Sequence, residues 1–396
     1  MVPVLLTADQ TLMGNYHGKG FLESRTGAPP DVFAQWRLLD LGELPPVSTQ
    51  AIYHAVGIAV DRNIAPSTII FCRPTSPLVC IGYHQELEME LDQEYCRMKG
   101  LPIVRRILGG GAVYLDRDQL FYQVIAKKSD PRVPASIQGI FEKFLTAPVM
   151  TYNYLGIPAH YRAVNDIEVR GRKISGSGAT QIGTSVILTG NIIFDFDFDE
   201  MLRILRVPSE KFRDKATKTL QERLTTIKRE LSDPPSHDFV KELLRRNYEN
   251  SLGVKLLEGR LSQEEVNTME SLERMYQSDD WTRLVENEHQ DIINRRMLRV
   301  SGRVSLGETC YKTSGGLLRV LVEVEDDVIN DLMITGDFTF LPRDSLRTLE
   351  KVLRGHNLNK DILMNRIRQF YEKYNVRSPG LTVEDIAHVI MLLSSK

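Results

Sequence analysis

The spacing of apolar residues along the chain changes several times, and each change marks an element. From Trp36 onward the spacing is that of a folded domain. Residues 1–35 instead scatter Gly14, Gly18, Gly20, Gly27, Pro29 and Pro30 with little periodicity, and read as an extension loosely ordered or draped on the main body. Ser48 to Asp61 repeats apolar residues at helical spacing, with Ser48 as N-cap and Ile52, Val56, Ile58 and Ala59 on the buried face. Ser67–Cys72 and Leu78–Gly82 read as strands broken by the Arg73–Pro77 run, and Glu86–Lys99 as a helix stopped by Gly100 and Pro102. Two β-rich runs, Leu101–Leu108 and Ala112–Ile125, flank Gly109, Gly110 and Gly111, which form the bend between them.

A helix over about Ala135–Leu155 follows, then a strand, turn and strand through Asn165–Val169 and Gly171–Ala179. Ser185–Phe196 continues the sheet, and Phe198–Leu205 begins a helix. Charged helical segments follow at Glu210–Glu230, His237–Asn250 and Ser262–Gln277, where Glu264 and Glu265 suit the N-terminal end of the helix dipole. After Met297, Leu317–Glu325 and Val328–Thr335 alternate about Asp326-Asp327 as a β-hairpin, followed by helices at Pro342–Leu353, Lys360–Lys373 and Thr382–Leu393. The fold class is therefore α+β, in an extension (1–35), a large domain (36–277), a linker (278–299) and a small α+β domain (300–396).

Composition narrows the function classes. A formal net charge of −2 gives no general pull toward nucleic acid or anionic membrane. No apolar run reaches the length of a transmembrane helix, and the start lacks a basic segment ahead of its short apolar stretch, so the cytoplasm is expected. Cys72, Cys80, Cys96 and Cys310 show no metal-ligand spacing; Cys72 and Cys80 read as small core residues. Asp195, Asp197 and Asp199 alternate as metal ligands would, but fit better as the wet face of a strand running into a helix cap. Basic residues on the last helices, including Lys351, Arg354, Arg366 and Arg377, fit a solvated face, with an acidic protein partner as the alternative.

Two stretches carry candidate chemistry. The triple glycine offers backbone amides to a carboxylate or phosphate, and Arg105 and Arg106 enter the same bend; a tight hairpin needing glycine for geometry alone is the competing reading. Lys173 lies in Gly171-Arg172-Lys173-Ile174-Ser175-Gly176-Ser177-Gly178-Ala179, where small residues would let its ammonium reach a buried oxyanion; a surface lysine at a hairpin tip is the alternative. Neither a GxxxxGK[ST] loop nor a complete dinucleotide fingerprint occurs.

Taken together, RRILGGGAVYLDRDQLFY, NDIEV followed by GRKISGSGA, and GLLRVLVEVEDDVINDLMITGDF resemble the lipoate–protein ligase family over roughly residues 36–396. The resemblance implies a mixed or antiparallel sheet flanked by helices, with a small C-terminal accessory domain. It implies a monomeric enzyme that uses MgATP to convert lipoate to lipoyl-AMP, then passes the acyl group to a lysine of a lipoyl-domain protein. The resemblance leaves open whether that acceptor is of the E2 class, the glycine-cleavage H class or another such carrier, and whether the acid is lipoate or octanoate. By the same resemblance Lys173 is catalytic, and Arg105, Arg106, Gly109, Gly110, Gly111, Ala112, Val113, Tyr114 and Asn165 join it in binding ATP or the adenylate. Asp166 would hold Mg²⁺. Gly82, His84, Arg105, Gly110, Thr189 and Gly190 would form the lipoate pocket.

Leu115 and Thr189 stand where the family often has histidine, and residues before Trp36 have no counterpart. An octanoyltransferase of the same fold is the nearest alternative. It needs a thiolate, yet Pro158-Ala159-His160-Tyr161 occupies one branch's cysteine position, and no cysteine lies between Cys96 and Cys310. A non-catalytic lipoate-binding module is a third reading. A biotin ligase would carry a Gly-Arg-Gly-Arg loop, which is absent.

Overall fold

The computed structural model describes residues 34–207, 210–296 and 304–392. The extension as far as Phe33, residues 297–303 at the junction of the expected linker and small domain, and the last residues from Leu393 lie outside the described residues.

An eight-stranded sheet forms the framework, in the spatial order β11 (Val254–Glu258), β1 (Ala34–Leu44), β2 (Thr68–Pro74), β6 (Gln119–Lys127), β10 (Ser185–Ile193), β9 (Arg172–Ile182), β8 (Asp166–Val169) and β7 (Ala159–Arg162). The β11–β1–β2 pairs are parallel and the rest antiparallel, so the sheet is mixed. Both faces are covered, and the two-residue period of β6 sorts its side chains between them. Leu120, Tyr122, Val124 and Ala126 join the core beneath the helices Ile137–Tyr154 and His237–Leu252, while Phe121 and Ile125 join the core beneath α1 (Ser48–Asp61) and the helix Gln263–Tyr276. Gly57 lets α1 press onto β10, since a Cβ there would lie 2.5 Å from Cδ1 of Ile187.

A second sheet sets β3 (Leu78–Ile81) between β4 (Ile103–Arg105) and β5 (Val113–Leu115). A third is the antiparallel meander β12 (Val304–Thr313), β13 (Gly316–Glu325) and β14 (Val328–Gly336), whose core is closed by the helices Ser345–Leu353, Lys360–Tyr374 and Val383–Met391.

Several elements differ from the sequence pattern for local reasons. The run expected as one helix over 86–99 is two, Leu87–Glu90 and Gln93–Met98, because Leu91 bridges to Leu205 and Asp92 caps the second piece by accepting from Tyr95 N at 2.9 Å. Ser48 does not cap α1; its hydroxyl donates to Glu273 instead. Ile58 is only half-buried. The charged stretch 210–230 breaks after Arg223, and Thr226 caps a separate turn at Ile227–Glu230. The expected linker contains the helices Asp279–Thr282, Leu284–Glu288 and Gln290–Arg296, packed against the main body. The alternating aspartates serve the helix start: Asp197 caps Phe198–Ile204 by accepting from Glu200 N at 2.8 Å, and Asp195 pairs with Lys228 at 2.8 Å.

Candidate functional site

Between the α1-side face of the main sheet and the glycine bend lies a cavity. Gln50 and Tyr53 of α1 close one end, and Asn165, Lys173 and Gly176 line the other. Lys173 reaches this face through a bulge. Ile167 and Glu168 of β8 pair with Ser175 and Lys173 of β9, leaving Ile174 as the extra residue. Strict alternation would set Lys173 and Gly176 on opposite faces. The bulge sends Ile174 into the core and brings Lys173 to the side of Gly176, where a Cβ would lie 3.2 Å from Nζ. The ammonium is paired with Asp166 Oδ1 at 2.6 Å.

Side chains brace the strands beneath. Asn165 Nδ2 donates to the Ser177 carbonyl at 2.5 Å, and Ser177 Oγ returns a bond to the Asn165 carbonyl at 2.6 Å. Asn191 Oδ1 accepts from Gly176 N at 3.0 Å while its Nδ2 donates to Gln119 at 2.8 Å.

The opposite wall is the glycine bend, residues 106–112, which belongs to no sheet. Arg106 folds over it, donating from Nη2 to the carbonyls of Gly109 and Gly111, both at 2.8 Å. Burial holds its pKa below the usual guanidinium value, and among the described residues no carboxylate lies within ion-pair distance of it. The glycines are needed for close approach. Gly110 has φ +90°, a Cβ on Gly82 would lie 1.9 Å from the Gly110 carbonyl oxygen, and one on Gly109 would lie 2.3 Å from that of Phe338.

Not every expected site residue lies here. Gly109, Gly110, Gly111, Val113, Asn165, Lys173, Thr189 and Gly190 line the cavity together with Arg106. Arg105 points the other way: its buried guanidinium donates to the carbonyls of Tyr83 at 3.1 Å and Thr282 at 2.8 Å, and pairs with Glu286 at 3.3 Å. Tyr114 alternates with Val113 and Leu115 along β5 and packs into the cluster of Val79, Ile81 and Phe196 rather than the cavity, and Ala112, at the end of the bend, packs against the same cluster. His84 is stacked on Phe338 at 5.3 Å between ring centroids; burial first, then nearby Arg105, brings its pKa down to about 3. Gly82 serves the cavity indirectly, by admitting the Gly110 carbonyl.

Gln50, Tyr53, Leu108, Phe121 and Gln123 are lining residues that sequence reasoning missed. The available signals were a glutamine on the apolar face of α1 and another inside Leu120-Phe121-Tyr122-Gln123-Val124-Ile125. No cysteine lines the cavity. Cys72, Cys80 and Cys96 are buried, burial pushing the Cys80 thiol up to about 12 and that of Cys96 to about 11, while Cys310 is exposed on β12. His160 is exposed on β7.

No cluster of three or more His, Cys, Asp or Glu able to hold a metal occurs among the described residues. Asp166 therefore fits magnesium only together with substrate phosphates and water, a donor set that ion accepts. No helix among the described residues is long and apolar enough to cross a membrane.

Residues 47–249 match the family model of the lipoyl protein ligase A/B catalytic domain, and residues 309–390 that of the bacterial lipoate protein ligase C-terminus. Octanoyltransferase LipM of Kyrpidia tusciae is 29% identical over 268 residues, covering 62% of this chain and 97% of the relative. Octanoyltransferase LipM of Bacillus subtilis is 24% identical over 270 residues, with 62% and 97% covered. Among solved structures, a bipartite lipoate protein ligase from Thermoplasma acidophilum, studied with its E2 lipoyl domain, superposes with TM-score 0.57 at 27% identity over 63% of this chain and 96% of its own. Lipoate-protein ligase A bound with ATP gives 0.55 at 25% identity over 63% and 98%. LipL1 of P. falciparum in complex with lipoate shares the fold over 90% of this chain and 99% of its own, with TM-score 0.65 at 15% identity.

Proposed function

The chain belongs to the lipoyl protein ligase A/B family, and from that premise we propose that it is an acyl-adenylate-forming ligase, which activates lipoate or octanoate with ATP and transfers the acyl group to a lysine of a lipoyl-domain protein. The observation that carries this reading is the placing of two cations, Lys173 and Arg106, beside a glycine bend in a cavity that no thiol lines. Joining a carboxylate to a phosphate brings anions together, and fixed positive groups where that charge develops lower the barrier. In the first step a carboxylate oxygen bonds to the α-phosphorus and pyrophosphate leaves. In the second the acceptor's neutral amine attacks the acyl carbonyl and AMP leaves.

Lys173 would hold the carboxylate and α-phosphate oxygens through both steps, exchanging its bond to Asp166 for them. Arg106, now bound to neutral carbonyls, would turn to phosphate. Magnesium, when bound, supplies charge neutralisation, and Asp166 is the residue that would hold it. Gly109, Gly110, Gly111, Val113 and Asn165 would border the adenylate, and Thr189 and Gly190 the acyl chain. The enzyme would act as a monomer.

The second reading is octanoyl transfer between carrier proteins without ATP. The relatives of known name are octanoyltransferases, and on that ground alone it is the better supported of the two. A covalent transferase needs an accessible thiolate, and the buried, raised cysteines make none at this cavity. The Kyrpidia relative is almost fully matched by 62% of this chain, whereas residues 309–390 match a ligase C-terminus.

The test is acid-dependent pyrophosphate release from MgATP, with mass spectrometry of the bound product. Acyl-adenylate is the expected result. Acyl exchange between carriers with no pyrophosphate would replace the ligase reading with the transferase.

A further inference from the structure

Gln123 sits in the middle of β6, 1% exposed, and lines the cavity. Its amide orientation is set by a hydrogen bond from Nε2 to the Thr49 carbonyl at 2.9 Å. That leaves Oε1 as the other end of the amide, buried and without a hydrogen-bond partner. Neighbouring donors are engaged elsewhere: the Tyr53 hydroxyl donates to Gln50 Oε1 at 3.3 Å, and Gln50 Nε2 donates to Thr49 Oγ1 at 3.2 Å. Thr189 is the cross-strand partner of Gln123 on the same face, yet its hydroxyl does not satisfy Oε1 either. A buried, unpartnered carbonyl in a ligand cavity is costly unless a ligand completes it.

Its position says which part of a ligand would do so. Gly178 on β9, Thr189 on β10 and Gln123 on β6 are register partners in one row across the sheet. The Lys173 ammonium lies beside Gly176, two residues along β9 from that row, and Gln123 is two strand spacings across the sheet, so the two are about 12 Å apart. An acyl chain whose carboxylate is at Lys173 would therefore bring its distal carbons toward Gln123.

We infer that Gln123 is a specificity-determining residue, and that the acyl pocket prefers a medium-chain acid carrying a hydrogen-bond donor, such as a hydroxyl, near its distal end over a plain alkyl acid. The inference rests on the acyl-pocket reading of the cavity. A plain chain places methylene groups against Oε1 and leaves it unpaired, whereas a distal hydroxyl donates to it. Sites built to bond a substrate hydroxyl discriminate strongly against the analogue that lacks it.

Binding of octanoate and of 8-hydroxyoctanoate to the full chain and to Gln123→Leu, measured by calorimetry, tests this. Wild type is expected to bind the hydroxy acid at least about tenfold more tightly, and Gln123→Leu to abolish or reverse the preference. Equal binding of the two acids by wild type would overturn the inference and leave the acyl pocket standing. A preference that survives Gln123→Leu would overturn the role of Gln123. Binding of neither acid would contradict the acyl-pocket reading itself. Should the leucine variant misfold, Gln123→Met makes the same comparison, and the wild-type ranking decides without any variant.

Discussion

The two walls of the cavity are built in different ways. The sheet floor is held by ladder hydrogen bonds and by Asn165, Ser177 and Asn191, all fastened to strands with both faces buried. The glycine wall has no ladder. It is held by Arg106, by the close fit of Gly110 against Gly82, and by Phe338, just past the end of β14, behind Gly109. The floor is therefore preorganised, whereas the wall's main polar tie comes from a cation that an incoming anion can recruit. The adjacent arginines express the same division: Arg105 is spent on the fold, and Arg106 faces the cavity.

The largest effect is expected on the floor. Lys173→Ala should lower adenylate formation by roughly 10³-fold or more while the melting temperature stays near wild type. Near-normal turnover by the folded variant would remove Lys173 from the site.

The arginines should separate cleanly. Arg105→Ala leaves Glu286 buried and unpaired, and should cost about 3–5 kcal/mol in denaturant unfolding. Arg106→Ala should instead cost roughly 10²–10³ in rate with a small change in stability. The reverse pattern would contradict the division of labour.

Gly109→Ala drives a methyl into the Phe338 carbonyl and should destabilise by about 1–3 kcal/mol, read by thermal melting. An unchanged melting temperature would show that the segment after β14 does not buttress the wall.

The smallest effect is pH dependence. Burial lowers His54 and His84 to about 3, so the folded state excludes protons that the unfolded state binds below about 6.5. Stability should therefore fall as pH drops from about 6.5 toward 3, by on the order of 1–2 kcal/mol per histidine at pH 5. His84→Gln should flatten part of that slope in urea titrations at pH 7 and pH 5.

Periodicity revealed what sheets and helices reveal best: α1, the hairpin β13–β14, and the long strands β6, β9 and β10. It failed where tertiary contacts override local pattern. Leu91 gives up a helix for a bridge to Leu205, and the stretch 279–296 is helical because Arg105 and its neighbours bind it. For the site, residue type was informative and direction was not. Arg105 and Arg106 are chemically alike, and only the packing of β4 decides which enters the cavity. Val113 lines the cavity and Tyr114 does not, because a strand sends neighbours to opposite faces. Lys173 faces the cavity through a bulge, which no alternation signals. Gln123 is a polar residue in an apolar strand, and only the bond to the Thr49 carbonyl fixes which end of its amide faces the cavity.

The most direct measurement is the intact mass of an apo lipoyl-domain acceptor incubated with the enzyme and one of two donors: free octanoate or lipoate with MgATP, or an octanoyl carrier protein without ATP. The expected result is one acyl group added to the acceptor's lysine from the free acid, strictly dependent on ATP and lost in Lys173→Ala. Acylation from the octanoyl carrier alone, with none from the free acid and ATP, would contradict the adenylate mechanism.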